Sequence, residues 1–91
     1  MFHILTLTYV RPADAIDRAR PAHLEWLEEE VAAGRLILTG RLESADGGVL
    51  ITSDLATAEA EDVIARDPYT VQGLVRYERV GFTAGRRAPG L

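Results

Sequence analysis

The stretch that decides the fold is residues 35–52, RLILTGRLESADGGVLIT. Its first part, 35–39, is rich in apolar and β-branched residues and predicts a strand. Residues 44–48 combine an aspartate with two adjacent glycines, which is typical of a turn, and residues 49–52 predict the next strand. The chain is therefore expected to form a β-hairpin at its middle.

A strand and a helix are expected before this hairpin. Residues 2–10, FHILTLTYV, are β-branched, apolar or aromatic, and alternate so that His3, Leu5 and Leu7 share one face. This pattern predicts a strand with both faces partly covered. Pro21 suits the first turn of a helix, because that position needs no backbone N–H, and Gly34 suits its end. Residues 13–19 are then expected to form only a turn or a helical lead-in.

The expected first helix is amphipathic. Leu24, Leu27 and Val31 recur at i, i+3 and i+7, which predicts that they face the core. The glutamates Glu28, Glu29 and Glu30 are then expected on the solvated face. The N-terminal half of the chain therefore supplies a β-α unit that leads into the hairpin.

A second helix and a last strand are expected after the hairpin. The helix runs from Thr57 to about Arg66 and ends at Asp67-Pro68, since a residue before proline is pushed out of the helical region. Residues 73–82, GLVRYERVGF, alternate and predict the fourth strand. The β-α-β-β-α-β order predicts an α+β, ferredoxin-like domain with a four-stranded antiparallel sheet. That domain is expected to span residues 1–82, with residues 83–91 a tail that is loose or clasps a partner subunit.

Composition narrows the class of protein. The chain has 91 residues, 14 acidic and 10 basic, with no cysteine, so a basic face for nucleic acid, a disulfide and a thiolate nucleophile are not expected. No apolar run approaches the ~20 residues of a membrane span and no signal peptide is evident, so a cytoplasmic protein is expected. A chain this short buries only about 60–65% of its unfolded surface, which favours a homodimer or a higher oligomer.

Chain direction brings two reactive residues together. His23, in the expected first turn of helix one, and Asp67, at the end of helix two, fall at the same end of a β-α-β-β-α-β unit. An imidazole beside a carboxylate is a common acid/base arrangement. The alternative interpretations are that His23 is an ordinary half-buried helix residue and that Asp67 only stops the helix. His3, among apolar strand residues, is expected to be structural.

Other residues at this end can hold a ligand. Arg20 can bind an anionic group through two donors. Tyr9 and Tyr69 each offer a phenol, and Arg41 lies in the hairpin nearby. No metal site and no other cofactor are expected, because the two histidines lie in different elements without a His-x-x-x-His pair.

The assembled motifs resemble a known family. Arg20-Pro21-Ala22-His23-Leu24, Gly34-Arg35-Leu36 with Gly40, and Asp67-Pro68-Tyr69 with Gly73 look like the YCII-related domain family. The resemblance implies a dimeric α+β barrel, in which two sheets pack face to face, and an active site at the positions of His23 and Asp67. The proline that usually follows the family's glycine is replaced here by Arg41.

Two functions follow as the main hypotheses, and a purely structural interaction module is the remaining alternative. In the first, the protein is a cofactor-independent enzyme in which His23 and Asp67 transfer a proton on a small cyclic or aromatic acid, in an isomerisation or an elimination. In the second, the same cleft binds a small molecule without converting it. The absence of a strong nucleophile or a metal-ligand set is compatible with both, so the sequence leaves the choice open.

Overall fold

The computed structural model describes all 91 residues of the chain. Seven elements follow one another, and their bounds are β1 Phe2–Tyr9, α1 Ala13–Ala32, β2 Leu36–Arg41, β3 Gly47–Thr52, α2 Thr57–Arg66, α3 Pro68–Val71 and β4 Val75–Phe82.

The four strands form one antiparallel sheet in the order β2-β3-β1-β4. This is the strand order of a ferredoxin-like fold, so the predicted fold class is confirmed. The hairpin strands extend further toward their turn than predicted, since β2 ends at Arg41 and β3 begins at Gly47. The single turn α3 was not predicted. It begins at Pro68, and the Asp67 side chain caps it by accepting a hydrogen bond from the backbone N–H of Tyr69.

Both long helices cover the same face of the sheet. Leu5 in β1 belongs to one core cluster with Trp26 of α1 and Val63 of α2. A second cluster joins Leu7 to Ile16 and to the α3 region. Alternation in β1 explains this, because every second side chain of a strand points to the same face.

The first helix begins eight residues earlier than predicted. It starts at Ala13, after Pro12, and Pro21 lies inside it without ending it. A proline within a helix removes its own N–H from the ladder and crowds the carbonyl four residues before it, but the alanine-rich sequence 13–22 favours the helix on both sides of it. His23 therefore lies in the body of α1, not in its first turn, and the charge of the helix N-terminus does not act on it.

The face of α1 that is buried also differs from the predicted one. Leu24 and Val31 are exposed at 52% and 47%, so the prediction that they face the core was wrong, while Leu27 is half-buried against it. The buried positions are instead Ile16, Ala19, His23, Trp26 and Glu30.

Glu30 corrects a further expectation, since it is only 2% exposed and does not belong to the solvated face. Arg35 and Arg66 both donate hydrogen bonds to its carboxylate, Arg66 from Nε to Oε1 at 3.0 Å. Burial alone would raise the pKa of Glu30, but these two arginines outweigh burial and lower it. The inward face of α1 therefore carries two polar residues, His23 and Glu30, and each has a charged partner.

The other face of the sheet has no helix on it. The register aligns Leu38, Ile51, Ile4 and Val80 in one row across all four strands. Leu38 and Val80 are 63% and 60% exposed. The expectation that both faces of β1 are covered thus holds within this chain only for the helix side. None of the helices has the length and apolar character needed to cross a membrane.

Candidate functional site

The body of α1 and the corner between α2 and α3 bring His23 and Asp67 into contact. His23 Nδ1 lies 2.8 Å from Asp67 Oδ1, a hydrogen-bond distance. The His23 side chain is 9% exposed and that of Asp67 is fully buried. The two residues expected at one end of the molecule are therefore directly paired, although they are 44 positions apart in the sequence.

Asp67 is held by three donors. Besides the imidazole, its Oδ1 accepts from the backbone N–H of Tyr69 at 2.9 Å, and its Oδ2 accepts from the hydroxyl of Tyr77 at 2.6 Å. Burial raises the pKa of Tyr77 far above its usual value, and the negative charge of Asp67 raises it further. Tyr77 therefore remains protonated and donates. The carboxylate is fixed in position and has no lone pair directed at solvent-accessible space.

Contacts to the face of the His23 ring hold it in place, in addition to the hydrogen bond at its edge. Its plane stacks on that of Tyr69, with the ring centroids 3.9 Å apart and an angle of 9° between the planes. Trp26 lies against it at 5.6 Å. Because Nδ1 faces a carboxylate, which only accepts, Nδ1 is the nitrogen that carries the proton in the neutral ring. The lone pair of Nε2 then has no hydrogen-bond partner in the chain, and Nε2 is not among the fully buried atoms that lack a partner.

A cavity of about 300 Å³ lies beside the stacked rings. Its walls come from β1, α1, the β2-β3 hairpin and α3. The lining includes every residue predicted to hold a ligand, together with His23, and consists of Leu7, Tyr9, Arg20, His23, Leu24, Leu27, Thr39, Gly40, Arg41, Gly47, Gly48, Leu50 and Tyr69. The predicted residues thus share one cavity, while Asp67 lies behind His23 and does not reach it.

The charges in this lining are all positive. Arg20 and Arg41 contribute guanidinium groups, and no aspartate or glutamate lines the cavity. Arg20 has a carboxylate partner outside the lining, Asp17, at 3.4 Å. Arg41 contacts only a backbone oxygen, that of Ala45, at 3.4 Å. A molecule in the cavity therefore meets two cations, of which only Arg20 already has a carboxylate partner, and this favours an anion.

Two glycines shape the floor of the cavity. A Cβ on Gly47 would lie 1.9 Å from the carbonyl oxygen of Leu7, and one on Gly48 would lie 2.9 Å from that of Gly40. Only glycine therefore allows the three strands to approach this closely here. The turn predicted from the sequence included both glycines, whereas they belong to β3 and line the site.

Sequence reasoning missed two of the side chains that build the site. Tyr77 donates to Asp67, and Trp26 packs on His23. Alternation in β4 places Tyr77 on the helix side, but no local pattern indicates that the α2–α3 corner lies above it. No group of three or more histidine, cysteine, aspartate or glutamate side chains is arranged to hold a metal ion.

Comparison with known sequences identifies the family. The pattern of the YCII-related domain family matches residues 1–81, which is nearly all of the chain. The protein belongs to the YCII-related domain family. The resemblance carried by the Arg-x-x-His-Leu and Asp-Pro-aromatic motifs is thereby confirmed, and both motifs of this YCII-related chain contribute side chains to the cavity.

Two further proteins are similar to this YCII-related chain. The structure of 5-chloro-2-hydroxyhydroquinone dehydrochlorinase (TftG) from Burkholderia phenoliruptrix AC1100, in complex with 2,5-dihydroxybenzoquinone, superposes with a TM-score of 0.74. The match covers 93% of this chain and 96% of that one at 22% identity, and so supports the fold. The 12 kDa protein of Mycolicibacterium smegmatis is 58% identical over 24 residues, which are 26% of this chain and all of that sequence.

Proposed function

We propose that this YCII-related protein is a cofactor-independent enzyme that moves a proton on a small cyclic or aromatic acid. His23 is the group that takes and returns the proton, and Asp67 is its partner. The observation that carries the proposal is the 2.8 Å contact between His23 Nδ1 and Asp67, with Nε2 left free beside the cavity.

The proton balance follows from the tautomer. With Nδ1 protonated, Nε2 accepts a proton from the ligand, and the resulting imidazolium is stabilised by the carboxylate of Asp67. The bond between the ligand and its hydrogen breaks and an N–H bond forms. In an isomerisation the proton returns to a different atom of the ligand. In an elimination an anionic leaving group departs with its bonding electrons.

The class of ligand follows from the cavity. Arg20 and Arg41 favour an anion, and the half-buried ring of Tyr9 offers a flat surface for a cyclic molecule. The similar fold of a dehydrochlorinase in complex with 2,5-dihydroxybenzoquinone supports a hydroxylated ring as the first compound to try.

The experiment detects proton abstraction whatever product the reaction forms. Hydroxyquinones, phenols and cyclic carboxylic acids are incubated with the protein in D₂O, and NMR follows the exchange of ligand C–H for C–D. The wild type is expected to accelerate exchange on at least one compound. His23→Gln is expected to lower that rate by about 10²–10⁴-fold, the usual contribution of a general acid/base.

His3→Gln is the matched control, because it removes the other buried histidine and leaves the cavity unchanged. Equal rates in His23→Gln and wild type, on a compound that wild type exchanges, would contradict the role of His23. Tight binding across the panel without any exchange would favour a protein that binds small molecules without converting them.

We further propose that two copies pair through their open sheet faces. The row Leu38, Ile51, Ile4 and Val80 gives each sheet an apolar surface, and covering it stabilises by ~25 cal/mol per Å². Residues 83–91, the proposed tail, follow β4 at this surface, where the Arg87 guanidinium lies 4.9 Å from the centre of the Phe2 ring. Val80→Asp is expected to shift the mass in sedimentation from two chains of 10.0 kDa toward one. A wild type that sediments as one chain would overturn the pairing.

A further inference from the structure

The hydroxyl of Tyr69 lies in an unusual position for a buried tyrosine. Tyr69 is 1% exposed, its ring stacks on His23, and its backbone N–H is bonded to Asp67. The same side chain nevertheless lines the cavity. The ring thus supports the imidazole, and the same side chain borders the cavity.

Arg20 determines how this hydroxyl is used. Both side chains line the cavity, and the charge of Arg20 opposes the rise in the pKa of Tyr69 that burial causes. A guanidinium has donors and no acceptor, so it can interact only with a lone pair of the phenol and leaves the single O–H proton unused. No hydrogen bond within the chain uses that proton, and Tyr69 lines the cavity. The proton of the Tyr69 hydroxyl is therefore available to a ligand.

The protonation state agrees with this arrangement. Burial raises the pKa of Tyr69, and the neighbouring Arg20 opposes the rise without reversing it. Tyr69 is therefore a neutral phenol at neutral pH, and a phenol polarised by a cation is a stronger donor than a free one.

We infer that Tyr69, polarised by Arg20, donates a hydrogen bond to the ligand oxygen that becomes negative when His23 takes the proton. This inference rests on the proposed function and specifies its substrate class as a ring compound in which an acidic C–H lies next to a carbonyl group, whose oxygen takes up the charge. The C–H bond breaks, Nε2 gains the hydrogen, and the electron pair moves onto that oxygen as an enolate or phenolate. Nothing is oxidised or reduced, and Tyr69 keeps its proton.

The stack explains why one molecule meets both groups. Because the two rings are stacked with their centroids 3.9 Å apart, the edge of the imidazole lies next to the edge of the phenol ring, and both residues line the same cavity. Donors held in advance at the oxygen where charge develops stabilise it without reorganisation, which is the usual basis of an oxyanion site.

The test uses a phenolate as a mimic of the charged oxygen. Binding of 4-nitrophenolate is measured by its absorbance, and binding of 4-nitroanisole, which has the same ring but no charged oxygen, is measured by calorimetry. Wild type is expected to prefer the phenolate. Tyr69→Phe keeps the ring and the stack, and it is expected to weaken phenolate binding about 10–100-fold, the range for a hydrogen bond to a charged group. Its 4-nitroanisole binding is expected to remain within about twofold of wild type by the same reasoning.

Arg20→Gln separates polarisation from direct contact. If Arg20 acts through Tyr69, its effect on phenolate affinity largely disappears in the Tyr69→Phe background. Additive losses would overturn the polarisation by Arg20. A wild type without preference for the phenolate, or an unchanged preference in Tyr69→Phe, would overturn the oxyanion site.

Failure of this inference is distinguishable from failure of the proposed function. Phenolate binding does not require the base, so His23→Gln is expected to retain the preference for 4-nitrophenolate while losing C–H exchange. If Tyr69→Phe kept both wild-type exchange and the preference, only the inference would fail. If His23→Gln kept wild-type exchange while Tyr69→Phe lost the preference, only the proposed function would fail.

Discussion

His3 and His23 are both buried on the helix side of the sheet, one in β1 and the other in α1, and they differ in how their ring nitrogens are used. His3 is fully buried, with Nε2 at 3.0 Å from the carbonyl oxygen of Leu55 and Nδ1 at 3.3 Å from Arg79 Nη1. The carbonyl requires a proton on Nε2, and the guanidinium requires a lone pair on Nδ1. Both nitrogens of His3 are thus occupied within the protein.

His23 has one occupied nitrogen and one free nitrogen. Asp67 takes the proton of Nδ1, and Nε2 is left beside a cavity lined by cations and phenols. Burial and a hydrogen bond are common to both histidines, so neither feature marks a site. What distinguishes His23 is an unused lone pair whose ring position is fixed by other side chains.

The largest effect on stability is expected from Asp67→Asn, which changes the hydrogen-bond partner of His23. The change removes the charge that accepts from His23 and Tyr77, and it puts an amide N–H₂ near one of these donors. We expect a loss of about 3 kcal/mol in the free energy of unfolding, from two weakened hydrogen bonds to a charged group. Urea denaturation measures it, and a loss below about 1 kcal/mol would mean that these bonds contribute little.

His3→Gln tests the other histidine of the comparison. It removes the ring whose nitrogens meet Leu55 and Arg79, and a glutamine reaches only one of these partners. We expect a loss of about 2 kcal/mol in the free energy of unfolding, with C–H exchange as in wild type. Loss of exchange in a folded His3→Gln protein would show that the two histidines are not separate in function.

Glu30→Gln extends the comparison to a third buried polar residue on the same face of α1. Arg35 and Arg66 bind both carboxylate oxygens, and Glu30 is not among the residues that line the cavity. These arginines are about half exposed and regain water when the charge is removed. We therefore expect a loss of only about 1–2 kcal/mol at neutral pH and no effect on exchange.

The pH dependence of the Glu30→Gln effect has a definite sign. The arginines lower the folded-state pKa of Glu30 below its unfolded value, so the carboxylate stabilises the fold above the unfolded pKa of about 4. This stabilisation is lost as the pH falls through the lowered folded pKa. The difference between wild type and Glu30→Gln is expected to shrink on acidification. A difference that grows in acid would contradict the ion-pair account.

The smallest effect on stability is expected from Arg41→Gln. The side chain contacts only a backbone oxygen, so the free energy of unfolding should change by less than about 0.5 kcal/mol. Binding of benzoate, an anionic ring, should weaken because a cation is lost from the cavity, while binding of neutral benzamide should not. Equal weakening of the two ligands, measured by calorimetry, would show that Arg41 acts through shape and not charge.

The fold could be predicted because its signals are local. Alternation in β1 and turn residues in the hairpin indicate the element order, and that order places His23 and Asp67 at a shared end. The start of α1 could not be predicted in the same way, since Pro21 is more typical of a first turn than of a helix interior.

The buried face of α1 depends on partners distant in sequence. Its spacing is regular, but His23 and Glu30 are polar and do not register as core residues in a hydrophobic pattern. They become inward residues only because Arg66 and Asp67 at the end of α2 meet them. The role of Tyr77 was not predicted for the same reason. Its hydrogen bond to Asp67 depends on β4 lying beneath the corner between α2 and α3.

The most direct test of the account is the tautomer of the neutral His23 imidazole, measured by ¹⁵N NMR. We expect the proton on Nδ1, a free lone pair on Nε2, and the opposite arrangement in His3. Asp67→Asn should weaken the preference in His23 and leave His3 unchanged. A His23 ring with its proton on Nε2 would leave no base facing the cavity and would contradict the account.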